Sequence, residues 1–152
     1  MEHQTVTGGM PGWEQILDKY GITYIVLKTM DSSGMILPIV PLLANSPNWS
    51  LVFSDGLFVI FVGNTPELRG YVKAHEIPKG ILPRHIIQEA YHYTFLGVSP
   101  VVAYQTMANM YLLMGDRRGA IESLRRGLEE VDNPYLRGRL MQLEQGPGTR
   151  AR

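Results

Sequence analysis

Apolar positions come in short continuous or alternating runs through the first half of the chain. In the second half they recur at intervals of three and four. Trp13, Ile16, Leu17 and Tyr20 fall at helical spacing, and Gly21 follows as a stop. Ile22 to Leu27 (ITYIVL) is short, β-branched and aromatic, which predicts a buried strand. Asp31-Ser32-Ser33-Gly34 predicts a turn. Met35 to Ala44 is apolar throughout and predicts a short helix interrupted by Pro38 and Pro41. Trp49–Ser54 and Leu57–Val62 then flank Asp55-Gly56, the preferred pair for a two-residue hairpin turn. With that turn Phe53 faces Phe58, Val52 faces Val59 and Leu51 faces Ile60. Trp49, Leu51, Phe53, Phe58, Ile60 and Val62 would share one face. A lone hairpin is marginal in water, so the 22–27 strand and the preceding helices are expected to complete a small layer with it.

Asn64-Thr65-Pro66 predicts a helix start running to about His75. Glu76 to Pro83 (EIPKGILP) has two prolines and a glycine and reads as a boundary. Helical spacing resumes over Arg84–Leu96, and Asn133-Pro134 opens a last helix to about Glu144. The expected fold class is therefore α+β, a small helix-on-sheet module with a β-hairpin followed by an all-α module. Its expected divisions are an unordered lead-in at 1–11, the α/β module at 12–75, a linker at 76–83, the helical module at 84–145 and a tail at 146–152.

Composition changes this picture little. Of 152 residues, 45% are hydrophobic and 18% charged, which describes a globular chain. Zero net charge gives no global electrostatic case for nucleic acid or an anionic membrane. The absence of cysteine excludes disulfides, thiolate metal sites and thiol nucleophiles. The longest apolar run, Met35 to Leu43, is far short of the roughly 20 residues that span a bilayer. The first residues lack the basic start and apolar core of a signal peptide.

Ser99 to Pro134 has the spacing of two antiparallel helices joined at Gly115-Asp116. Ser99-Pro100 and Asn133-Pro134 each set a capping residue before a proline at the first helical position. The two prolines are 34 residues apart. Tyr104, Met107, Ala108 and Tyr111 supply large, leucine-like, small and aromatic positions, and Ala120, Leu124 and Gly127 supply small, large and small ones. On these residues the stretch resembles a tetratricopeptide (TPR) unit. Ala108, Ala120 and Gly127 would let the helices approach closely. The closing proline departs by two positions, with Asp132 where the motif has it. Residues 84–96 align with the second helix at the same offset, Ile87 on Ile121, as a degenerate half-repeat.

The TPR resemblance implies a partner surface on the concave face of the first helix. By position that surface is Val102, Gln105, Asn109, Leu112 and Leu113, and its partner would be a protein or peptide. Gln105 stands where some TPR domains carry a lysine that clamps a peptide carboxylate. One full repeat is below the usual minimum of roughly three, so a packing role is the first expectation for these residues, with the apolar ones buried against helix 84–96 or the α/β module.

A second resemblance covers about residues 12–64. GWEQILDKYGITYIVLK, a short apolar helix and PNWSLVFSDGLFVIFV together resemble the soluble domain after the membrane helices of polytopic lipid-linked-sugar glycosyltransferases of the protein O-mannosyltransferase-like kind. It implies a membrane-attached parent, its catalytic acid in loops outside this chain, and a location on the extracytoplasmic side of a bacterial membrane.

Candidate chemistry is sparse. His85, Glu89 and His92 sit at helical spacing, but a zinc site needs three or four ligands and this pattern lacks a helper motif. The hydroxyls beside Asp31 and Asp55 have no histidine at a predictable distance. Asn48-Trp49-Ser50 matches a glycosylation acceptor at a strand edge. Arg117, Arg118, Arg125 and Arg126 alternate with Glu122, Glu129 and Glu130, and Arg118–Glu122 and Arg125–Glu129 are expected to pair as a solvated face. No catalytic residue, metal ligand, cofactor or nucleic-acid partner is assigned. The expected function is a non-catalytic accessory or interaction region, partnered by a protein, a peptide or the rest of its own parent chain. The alternatives are a free-standing adaptor and a small enzyme using the His85/Glu89/His92 face.

Overall fold

The computed structural model describes residues 2–97 and 99–145, so Met1, Val98 and the expected tail lie outside the described residues. The fold is α+β with a helical C-terminal part. Chain contacts divide it into two units. The first comprises residues 1–31 and 36–85, and the second residues 32–35 together with residues 86–152.

In the first unit Phe58–Gly63 (FVIFVG) takes the centre of a three-stranded antiparallel sheet as β3, between Tyr24–Lys28 (β1) and Trp49–Ser54 (β2). Its run of apolar residues suits a strand paired along both edges. The hairpin turns at Asp55-Gly56, but in another register from the one the sequence suggests. Asp55 accepts hydrogen bonds at Oδ1 from the backbone N–H of Leu57 (3.0 Å) and Phe58 (2.7 Å), so the last cross-strand pair is Ser54 with Val59. Phe53 pairs with Ile60 and Leu51 with Phe61, leaving Val52 as a bulge. An extra residue in one strand reverses the side chains beyond it. The face that enters the core therefore carries Leu51, Val59 and Phe61, all buried, together with Trp49, Ile25 and Leu27. Phe53, Phe58 and Ile60 turn to the opposite face with Tyr24 and Val26.

The helices Trp13–Lys19 (α2) and Ile39–Asn45 (α3) fill the core side with Leu17, Ile39, Val40 and Leu43. Residues 2–7, expected within an unordered lead-in, form helix α1. Its Glu2 carboxylate accepts from Lys19 Nζ (2.8 Å) and the Tyr20 hydroxyl (2.6 Å), while Val6 packs on the core. These two bonds hold the exposed Glu2 carboxyl below its usual pKa. After β3, the expected helix from Asn64 is shorter, with a turn before α4 at Arg69–His75.

Segment 76–83, read from its prolines as a linker, makes specific bonds to the first unit. Ile77 N–H donates to Leu51 O (2.8 Å), Glu76 meets Ser50 Oγ (2.6 Å), Lys79 Nζ donates to Ser46 O (2.7 Å), and Leu82 is buried in the core. Burial lowers the pKa of Lys79, partly offset by Glu76.

Helix α5, Leu82–Phe95, starts in the first unit and runs into the second. There it is followed by α6 (Pro100–Leu113), α7 (Arg117–Glu130) and α8 (Pro134–Gln145). Gly115, at φ 77°, makes the left-handed turn between α6 and α7. Asp116 accepts from Gly119 N–H (2.8 Å), and Asn133 accepts from Tyr135 and Leu136 N–H (2.9 and 3.2 Å), capping α7 and α8. Ser99, expected to cap α6 in the same way, makes no side-chain cap bond, and its carbonyl accepts from Val102 and Ala103 N–H instead.

Candidate functional site

The α6–α7 pair is built from small residues facing large ones. Ala108, Ala120 and Leu124 are buried together with Leu136 of α8. A Cβ on Gly127 would lie 3.0 Å from Tyr104 Cβ and 2.9 Å from a Leu136 methyl, so the missing side chain sets the helix approach. A Cβ on Gly119 would lie 2.6 Å from the Tyr111 ring. Tyr104 and Met107 are buried along this seam. The Tyr104 hydroxyl donates to Glu130, and burial, followed by that carboxylate, pushes its pKa up to about 12.

Beside the seam, α5, α6 and α7 enclose an open groove of about 270 Å³. Its walls carry Tyr91, Tyr104, Tyr111, Met107 and Ile87, with Gln88, Ser123, Glu122 and Arg126 supplying polar atoms. Ser123 Oγ donates back to Gly119 O (2.9 Å), and Arg126 Nε pairs with Glu122 (3.2 Å). Aromatic walls with a few polar atoms bind by burial of apolar surface and orient by hydrogen bonding. Tyr104 and Met107 were legible from the helix pattern. Tyr91 and Gln88 were not, because their relevance depends on how α5 lies against α6.

The five residues placed on the concave face have different surroundings. Val102 lies beside Gly34, whose added Cβ would be 3.9 Å from a Val102 methyl, and Thr106 Oγ1 donates to Gly34 O (3.1 Å). The turn at 32–35 thus occupies part of that surface. Leu112 packs against the Ala108–Leu136 cluster. Asn109 Oδ1 accepts from Arg139 (3.5 Å), and Gln105 is half-buried. Leu113 is 70% exposed at the end of α6.

His85 Nδ1 lies 2.8 Å from Ser54 Oγ, and Glu89 pairs with His92 at 3.6 Å. Among the described residues no group of three His, Asp or Glu side chains is placed to hold a metal ion. Three arginines of the α7 stripe have other partners than the spacing suggested. Arg126 pairs with Glu122, Arg125 with Glu144 (2.7 Å), and Arg117 donates to Leu143 O, while Arg137 of α8 pairs with Asp132. No helix among the described residues is long and apolar enough to cross a membrane. No protein-family model, curated protein or solved structure matches this chain.

Proposed function

We propose that this chain is a non-catalytic accessory and protein-interaction region, with its helical unit as the partner surface. The observation that supports this most is the groove of α5, α6 and α7, where three tyrosines and Met107 line an open apolar surface. Its occupant on this reading is an aromatic or aliphatic segment of a protein, anchored by burial and oriented by Gln88 and the Glu122–Arg126 pair. The helices form a TPR-like pair, consistent with the close approach at Gly127. The chain serves a membrane-attached glycosyltransferase-like parent, a reading that rests on the likeness of residues 12–64.

A photo-crosslinking residue at Gln88, in the groove, and another at Glu129, on the exposed side of α7, test the surface in cells. A discrete adduct from position 88 and none from position 129 is expected, with the partner read by mass spectrometry. Equal labelling from both positions, or none, overturns the groove as the partner site. The coding frame upstream of Met1 tests the parent. Several in-frame spans of about 20 apolar residues support it, and their absence leaves a free-standing adaptor. Turnover of a lipid-linked sugar by this chain alone overturns the non-catalytic reading.

A further inference from the structure

The two edges of the sheet in the first unit are treated differently. β2 and β1 are both edge strands, since β3 lies between them. Along β2 the outward carbonyl of Leu51 accepts from Ile77 N–H at 2.8 Å, and Glu76 and Lys79 fasten the same segment to Ser50 and Ser46. That edge is strapped. Among the described residues no such strap is bonded to β1 itself, and Leu37 N–H donates to Thr29 O only beyond its end. Gly63 N–H donates to Thr23 O (2.8 Å) and Thr29 N–H to Leu57 O (2.9 Å), so the odd residues of β1 bond to β3. Antiparallel alternation then turns the backbone groups of Tyr24, Val26 and Lys28 outward. Their side chains belong to the sheet face away from the core, where Tyr24 is 67% and Val26 56% exposed beside Phe53 and Phe58.

An uncovered strand edge of this kind is a template for another strand. Natural edges are commonly blunted by a central charge, a proline or a bulge. β1 has none of these at its middle, and its one charge, Lys28, stands at its end.

We propose that β1 pairs antiparallel with β1 of a second copy of this chain across a two-fold axis at Val26, joining two three-stranded sheets into one of six strands. The sequence of the strand is self-complementary in this register and supplies the choice of occupant. Val26 meets Val26 of the partner and Ile25 meets Leu27 on the core side, two apolar cross-strand pairs, while Thr29 is buried with its hydroxyl bonded to Gly56 O and takes no part. The charges also agree. Each Lys28 meets the ring of Tyr24 in the other copy, a cation–π arrangement, and neither lysine faces the other. The outward N–H and C=O of Val26 bond reciprocally to those of its mate, making an isologous contact.

Sedimentation equilibrium and site-directed cross-linking of the full chain test this. The wild-type protein is expected to sediment as a dimer. V26K, which sets two ammonium groups against each other at the axis, is expected to sediment as a monomer with the circular dichroism and melting of a folded protein, because the Val26 side chain lies outside the core. The chain contains no cysteine, so V26C reports the register directly. The Cα atoms of a hydrogen-bonded antiparallel pair are about 5.5 Å apart, within disulfide reach. V26C is expected to form a covalent dimer under mild oxidation, and M141C, on the exposed side of α8, is not. A wild-type protein that stays monomeric up to millimolar concentration overturns the proposal. So does a dimer that V26K leaves intact, or one in which V26C and M141C cross-link equally. A monomer whose Tyr24, Val26 and Lys28 amides resist hydrogen exchange would point to a strand of another protein or of this chain as the occupant, and that also overturns it.

Discussion

Gly127 shows how one absent side chain can set the distance between two helices. Its added Cβ would meet Tyr104 Cβ, an atom fixed to the α6 backbone, so relief requires the helices to part. Gly127→Ala is expected to lose up to about 2 kcal/mol in urea denaturation, an overpacking cost of roughly 1–3 kcal/mol set against a gain in helix propensity of about 1 kcal/mol. Gly138, in the middle of α8, has nothing within 4 Å of its added Cβ. There the propensity term acts alone, and Gly138→Ala is expected to gain about 0.5–1 kcal/mol in the same measurement. Opposite signs from one substitution would separate packing from propensity. Tyr104 itself gives a pH signature. Its hydroxyl is held neutral, with a folded-state pKa of about 12 against an ordinary 10.0. The folded chain therefore keeps a proton that the unfolded chain releases, and the stability this supplies is complete below pH 10 and lost as pH rises to about 12. Ultraviolet titration is expected to show a tyrosine step near pH 12, and Tyr104→Phe is expected to remove it.

Among the elements, the helices were more legible than the sheet register. Period, proline and glycine signals placed α6, α7 and α8 within a residue or two, because a helix is specified by neighbours three and four apart. The hairpin was legible as a hairpin, but its register was not. Asp-Gly indicates a turn, yet the Asp55 side chain bonding two N–H groups ahead of it lengthens that turn, and the bulge at Val52 follows. The longer turn shifts the pairing by two residues and keeps the faces, whereas the bulge shifts it by one and reverses which residues of β2 enter the core. Asp55→Ala removes both acceptor bonds from an exposed loop and is expected to cost about 1 kcal/mol, read as a lower denaturation midpoint. Amide exchange should quicken first at Leu57 and Phe58. Helix α1 and the strap at 76–79 escaped the sequence reading for a related reason. Both are held largely by polar contacts to distant residues, such as Glu2 with Lys19 and Lys79 with Ser46, which leave no periodic trace.

For the molecule as a whole, burial of apolar side chains stabilises the chain and the surface ion pairs contribute little. Four ion pairs, Lys19–Glu2, Arg125–Glu144, Arg126–Glu122 and Arg137–Asp132, join side chains that are largely exposed to solvent. Such pairs are worth about 0–1 kcal/mol each and are screened by salt. Raising sodium chloride from 0.1 to about 1 M is therefore expected to leave the melting temperature nearly unchanged, as measured by calorimetry. The candidate groove was only half legible, since Tyr104 and Met107 follow from the α6 period whereas Tyr91 enters through the packing of α5. The contact of Thr106 with Gly34 has a consequence for how the chain acquires its form. It joins residues 72 apart, and the buried hydroxyl of Thr106 has that early carbonyl as its acceptor. The helices can coil locally and fast, but their packing is completed only when a turn made earlier in the chain closes a long loop onto them. A ribosome would release that turn first, so it must wait, with its carbonyl in water, until α6 emerges. A fragment cut to begin at Ile86 would keep all the hydrophobic periodicity of the helical part and still bury a hydroxyl with its acceptor gone.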